Sequence, residues 1–232
     1  MSSEPPAIAP LGGPVWHAGR AAAFMLLKTI HPFRRSGREH IPASGGTLIV
    51  CNHLSNSDPF LVGLATLPRR TRFMAKVELF SGPLAGVFRR WGAFPVRRGA
   101  ADREAIRTAR DLLAAGEAVV MFPEGTRSAD GRLRPAFPGA GLLALEPGVT
   151  VVPAAVWGSQ RLFRPTRIVF GPPVDLSGVG EGSRSHRAQQ ATRILMRAIA
   201  DLVPAAGGPP QVVPDGEPSS PAHERSARPA DG

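Results

Sequence analysis

Short apolar runs alternate with amphipathic stretches along most of this chain. The runs Thr47 to Cys51, Arg72 to Ala75, Phe94 to Val96, Ala118 to Phe122, Thr150 to Trp157 and Arg167 to Phe170 read as strands, most of them apolar enough to be buried on both faces. Asp58-Pro59 has the form of an N-cap with proline at the first helical position, and predicts a short helix over Phe60 to Leu67. Leu79 to Trp91 is an apolar helical stretch broken at Gly82-Pro83, fit to line an apolar pocket, to touch lipid or to serve as a plain core helix. The clearest helix is Asp102 to Ala115, with Ile106, Ala109, Leu112 and Leu113 at helical spacing and Gly116 as its C-cap. Residues 139–146 are a further helix. Arg184 to Val203 is an amphipathic one with an apolar side through Ala188, Ala191, Leu195 and Ile199. Gly37 to Pro42 reads as an edge segment. The alternation over residues 47–170 predicts an α/β fold, a mostly parallel central sheet flanked by helices.

The ends of the chain lose this pattern. Residues 1–14 are a Pro-, Gly- and Ala-rich leader, and residues 205–232 carry Pro, Gly, Ser and charge without periodicity and read as a disordered tail. A single domain over 15–204 is expected between them. Its first helix, Val15 to Ile30, mixes Arg20 and Lys28 with Trp16, Phe24, Met25, Leu26 and Leu27; it suits a membrane interface or packing on the domain. The run Ala21 to Leu27 is too short to cross a bilayer, and no basic segment at the start marks a secretory signal.

Composition changes the picture in two respects. The formal net charge is +10 and nearly all of it is arginine, since Lys28 and Lys76 are the only lysines; partners are expected to be anionic. Arginine favours two-point binding of phosphate. The single cysteine, Cys51, excludes an intrachain disulfide and a cysteine metal cluster, and fits a reducing compartment such as the cytoplasm.

The candidate chemistry begins where the strand Thr47 to Cys51 runs into a polar loop carrying His53 and, five residues on, Asp58. An imidazole placed there can take a proton from a substrate hydroxyl, and a nearby carboxylate can fix its tautomer and stabilise the imidazolium. Asn52 can orient the loop or donate to a substrate. A second strand ends on Glu124-Gly125-Thr126-Arg127, where backbone N–H groups and a guanidinium can gather on a phosphate. Lys76 ends another strand and Arg97-Arg98 a fourth, which makes them further phosphate candidates. Cys51, two residues before His53, is either a small buried hydrophobe or half of a nucleophilic pair. Gly139-Ala-Gly-Leu-Leu-Ala144 imitates a dinucleotide fingerprint, but it lacks the preceding strand and the acidic residue that should follow.

Four blocks, the one around Asn52-His53 and Asp58, Gly92-Ala-Phe-Pro-Val-Arg-Arg-Gly99, Met121-Phe-Pro-Glu-Gly-Thr-Arg-Ser128 and Val151-Val-Pro-Ala-Ala-Val-Trp-Gly-Ser159, resemble in order and separation the signature blocks of the glycerophospholipid acyltransferases. The likeness is greatest to 1-acylglycerol-3-phosphate acyltransferases. It implies a glycerol-3-phosphate acyltransferase-like fold and transfer of a fatty acyl group from acyl-CoA or acyl carrier protein to the sn-2 hydroxyl of lysophosphatidic acid, giving phosphatidic acid. It further implies His53 as base and Asp58 as its partner. Arg97, Glu124, Gly125, Thr126 and Arg127 would bind the glycerol phosphate, and Pro153 would shape the pocket. No metal or bound cofactor is expected. Pro138 stands where the family often has lysine. The expected setting is peripheral, at the cytoplasmic face of an anionic membrane.

Two other readings compete. One keeps the fold and acylates another lysolipid or an amino-acid lipid. The other is a non-enzymatic protein that binds polyanions or membranes through its arginines. Against nucleic acid as its partner, no recognition helix or aromatic platform can be picked out.

Overall fold

The computed structural model describes residues 25–26, 28–82, 85–96 and 102–214. The expected leader, most of the Val15 to Ile30 helix, Arg97, Arg98 and the chain beyond 214 lie outside the described residues. Residues 25, 26 and 28–30 are helical.

Seven strands form one sheet: β1 (Phe33–Ser36), β2 (Thr47–Cys51), β3 (Thr71–Lys76), β4 (Ala93–Val96), β5 (Ala118–Met121), β6 (Thr150–Trp157) and β7 (Thr166–Phe170), in the order β1-β7-β6-β2-β5-β3-β4. The strands β2 to β6 run parallel; β7 is antiparallel to β6, and β1 runs with β7. The central strand β2 is buried at every position, as a strand covered on both faces must be.

Its pleat sorts the core. Leu48 and Val50 face helices α3 (Arg103–Ala114), α4 (Gly139–Ala144) and α5 (Arg184–Leu202), meeting Leu113, Leu143 and Leu195. Ile49 and Cys51 face the opposite side, where α1 (Asp58–Ala65) brings Leu61, Val62 and Ala65. Helix α3 starts as expected, with the Asp102 carboxylate accepting from the N–H groups of Glu104 and Ala105 at 3.1 and 3.0 Å. The Leu79 to Trp91 stretch becomes a 3₁₀ turn at Val77–Phe80 and a six-residue helix α2 (Ala85–Arg90).

This sorting positions a site. The chain leaves β2 for α1 on one face and leaves β5, its neighbour, for α4 on the other. The carboxyl ends of β2 and β5 therefore form a switch point, the place where ligands of open α/β sheets gather.

Three expectations need correction. The edge strand is Phe33–Ser36, not Gly37 to Pro42, because Gly37 sits at φ 75 and ends it; a Cβ there would collide with the Phe170 carbonyl. Residues 205–214, expected to belong to a disordered tail, are described and partly packed on the domain. Val203 and Ala206 pack under Ala155, and the Gln211 side-chain oxygen accepts from Leu133 N–H at 3.0 Å. Asp58 is the first residue of α1, with Ser57 before it as N-cap. Its carboxylate turns back over the preceding loop and not onto its own helix.

Candidate active site

His53 and Asp58 are brought together. The His53 Nδ1–H donates to Asp58 Oδ2 at 2.9 Å, which leaves Nε2 as the proton-accepting nitrogen. The same Asp58 oxygen accepts from the N–H groups of Leu54 and Ser55, both at 2.6 Å, so one carboxylate fixes the ring and the loop that carries it. Asp58 is fully buried and His53 is 4% exposed. The ring of Phe122 stacks on the imidazole with centroids 4.3 Å apart.

The second loop is locked to the first. Glu124 is buried, and its two carboxylate oxygens accept from His53 N–H at 3.0 Å and Arg134 N–H at 2.9 Å. Ser128 N–H in turn donates to the His53 carbonyl at 2.8 Å. Burial pushes the Glu124 carboxyl up to about 7 against the pull of those two backbone N–H groups. Gly125, at φ 66, makes the turn possible, and a side chain there would press on the Phe137 ring. Gly125, Thr126 and Arg127 then stand exposed at the rim, as Lys76 does at the end of β3. Arg97 lies just beyond the last described residue of β4, and Val96 is in register with Lys76.

Asn52 is tied elsewhere. Its amide donates to the Val156 carbonyl at 3.0 Å and accepts from Val156 N–H at 2.8 Å, which clamps the start of the loop to β6. Of its two expected roles, this engages the orienting one. Pro153 is buried in mid-β6 opposite Val50 and faces away from the His53 loop, on the side of α5. Cys51 is fully buried in the sheet among Leu61, Val62 and Val152, the place of a small hydrophobe, and burial, with Asp58 and Glu124, pushes its thiol well above its ordinary value. The Gly139 to Ala144 run is helix–helix packing: Gly141 lets α4 approach the backbone of α5, and its N–H donates to Thr192 at 3.1 Å.

Sequence reasoning missed the stacking of Phe122, the anchoring by Arg134 and Ser128, and His31, which is buried and bonded through Nε2 to the Ser57 hydroxyl at 3.1 Å. Only Ser128-Ala-Asp-Gly131 carried a local signal. Asp130 there accepts from the Ser128 hydroxyl and from Arg132 N–H.

A cavity of about 590 Å³ opens at the other end of the sheet, lined by Arg38, Arg69 and Glu117 among others. Two of its guanidiniums are committed to the backbone: Arg69 donates to the carbonyls of Ala43, Gly45 and Gly116, and Arg38 to that of Leu67. We regard it as structural. Among the described residues, no group of three or more His, Cys, Asp or Glu side chains is placed to hold a metal ion, and no helix is long and apolar enough to cross a membrane.

Comparison with known proteins agrees with this geometry. The acyltransferase family model matches residues 32–157. The chain is 32% identical over 171 residues to the 1-acyl-sn-glycerol-3-phosphate acyltransferase of Bacillus subtilis, which covers 71% of this chain and 85% of that protein. It is 33% identical over 141 residues to a chloroplastic 1-acyl-sn-glycerol-3-phosphate acyltransferase of Arabidopsis thaliana, covering 58% of this chain but only 39% of the plant protein. The crystal structure of the 1-acyl-sn-glycerophosphate acyltransferase of Thermotoga maritima superposes with a TM-score of 0.57 at 26% identity, over 78% of this chain and 76% of that one. The matched segment holds both the His53–Asp58 pair and the Glu124 to Arg127 turn and exceeds half of the chain, and on that ground the protein belongs to the acyltransferase family.

Proposed function

We propose that this protein acylates the free sn-2 hydroxyl of lysophosphatidic acid, using acyl-CoA or acyl carrier protein as thioester donor and releasing phosphatidic acid for phospholipid synthesis. The observation that carries the reading is the His53 Nδ1 to Asp58 Oδ2 contact of 2.9 Å, reinforced by two backbone N–H groups on the same oxygen. His53 Nε2 takes the proton of the acceptor hydroxyl as its oxygen attacks the thioester carbonyl. The tetrahedral intermediate collapses, the C–S bond breaks, and the departing thiolate takes that proton back from the imidazolium. Asp58 holds the ring and stabilises its positive charge throughout.

The rim supports the choice of acceptor. Gly125, Thr126, Arg127 and Lys76 are exposed beside the buried pair, with Arg97 following β4, and exposed arginine and lysine side chains suit a phosphate monoester. Glu124 contributes by holding the His53 backbone. The proposed chemistry needs no metal and no bound cofactor, and the setting is peripheral, on the cytoplasmic face of an anionic membrane.

A panel of lysolipids and of acyl-CoA and acyl carrier protein donors, read by mass spectrometry of the products, tests this. The reading expects phosphatidic acid from lysophosphatidic acid as the main product. Preferential acylation of a lysolipid without a terminal phosphate would keep the acyl transfer and overturn the roles of Arg97 and Arg127.

A further inference from the structure

Large apolar side chains left in water are few among the described residues, and they are not scattered. Apart from Val87 on α2 and Val212 near the end of the described chain, they are Met25, Leu26, Val77, Leu79, Leu162 and Phe163. Topology puts all six at one edge of the sheet. Val77 and Leu79 follow directly from β3, and Leu162 and Phe163 lie in the loop that leaves β6. The strand β1 runs opposite to β6 with Phe33 level with Thr166, so the helical residues before it also reach the edge where β6 ends. This is the edge that carries His53 and Glu124.

The segment Arg161-Leu-Phe-Arg164 stands out within this edge. Leu162 is 60% and Phe163 68% exposed, and the flanking Arg161 and Arg164 are exposed as well. Phe163 is the one described non-glycine residue with positive φ, at 57, a conformation that bulky side chains rarely adopt. The backbone around it holds it there. Phe163 N–H donates to the Ile30 carbonyl at 2.7 Å, and Thr166 N–H to that of Pro32 at 2.8 Å. The tip is thus tied at Ile30 to the helical residues among which Met25 and Leu26 are exposed, each at 61%.

Charge identifies what meets it. Between Glu146 and Asp175 the sequence has no acidic residue and three arginines, Arg161, Arg164 and Arg167. Asp130, next to Gly131 whose backbone approaches Trp157 and Gln160, is paired with Arg134 at 3.0 Å, and the exposed Glu78 stands apart from this loop, between Val77 and Leu79 after β3. Apolar tips ringed by arginine suit the headgroup layer of an anionic bilayer, where rings and aliphatic side chains sink below phosphates that the guanidiniums bind.

We propose that the Arg161 to Arg164 tip, with the exposed helical residues Met25 and Leu26, inserts into an anionic lipid surface and turns the edge bearing His53 toward it. The consequence for catalysis rests on the lysolipid reading above, whereas the binding itself does not.

The test is flotation of the full chain with vesicles of phosphatidylglycerol and phosphatidylcholine against vesicles of phosphatidylcholine alone, with thermal unfolding to confirm folding. The wild type is expected to float with the anionic vesicles, and Leu162→Asp/Phe163→Asp to lose about tenfold or more in partitioning. Phe163→Gly accepts the positive φ and so preserves the loop; it is expected to lose about threefold. Val212→Asp should float as the wild type does. Acylation of vesicle-borne relative to monomeric short-chain lysophosphatidic acid should fall in step with partitioning. Failure of the wild type to float, tip variants that float like wild type, or a dimer in sedimentation that the tip substitutions split would each overturn the proposal. A wild type that floats through the tip but acylates neither form of acceptor would sink the reaction and leave the docking surface standing.

Discussion

Asp58 Oδ2 accepts from one ring nitrogen and two backbone N–H groups, while Oδ1 is buried with no partner. Three donors converge on that one oxygen, and this decides the effect of substitution. Asp58→Asn keeps an acceptor but loses the charge that steadies an imidazolium. We expect kcat to fall by about 10²-fold or more and stability by about 1–3 kcal/mol, measured by steady-state kinetics and chemical denaturation. Glu124 gives a pH signature of its own. Burial raises it from an ordinary 4.5 to about 7. Between those values the folded chain holds a proton that the unfolded chain has released, so stability falls as pH rises through this window and levels off above it. The change is about 3 kcal/mol at most. Denaturation at about pH 5 and about pH 7.5 should show the stability of the wild type falling relative to that of Glu124→Gln across this window. His53 and Asp58 were legible because they sit five positions apart on one strand-loop-helix passage. The clamp on Asn52 was not, because Val156 lies 104 positions away and only the sheet order joins them.

At the scale of elements, alternation of strand and helix sufficed for the parallel centre of the sheet, where continuous apolar runs admit little else. It failed at the margin. Phe33–Ser36 has two arginines in four residues and an exposed side, and it is a strand only because β7 offers it an edge. The antiparallel return of β7 was equally invisible, since Arg167 to Phe170 reads the same in either direction. Helix contacts lend themselves to a sharper test. The α4–α5 contact leaves no room at Gly141, where an added Cβ would meet the Ala188 carbonyl and, at 2.6 Å, the Thr192 hydroxyl. Gly141→Ala is expected to destabilise by about 1–3 kcal/mol despite its better helix propensity, as read by urea denaturation.

Over the whole molecule, the two ends of the sheet divide the work. The end at which β2 and β5 begin is held by Arg69, whose three carbonyl partners belong to the turns before those strands. Arg69→Ala should therefore cost about 1–3 kcal/mol of stability while the KM for the lysolipid acceptor stays put, and a raised KM would reopen the cavity there as a binding site. The other end carries the His53–Asp58 pair and the exposed apolar tips. Net charge and arginine content signalled an anionic partner from composition alone, but the gathering of apolar tips on one edge needed the strand order. The central claim is that His53, held by Asp58, deprotonates the acceptor hydroxyl. The most direct measurement is phosphatidic acid formation from lysophosphatidic acid by His53→Ala beside wild type, with unfolding curves on both. A folded variant with product formation lowered by about 10³-fold or more is the predicted result; a folded variant that acylates at the wild-type rate would contradict the account.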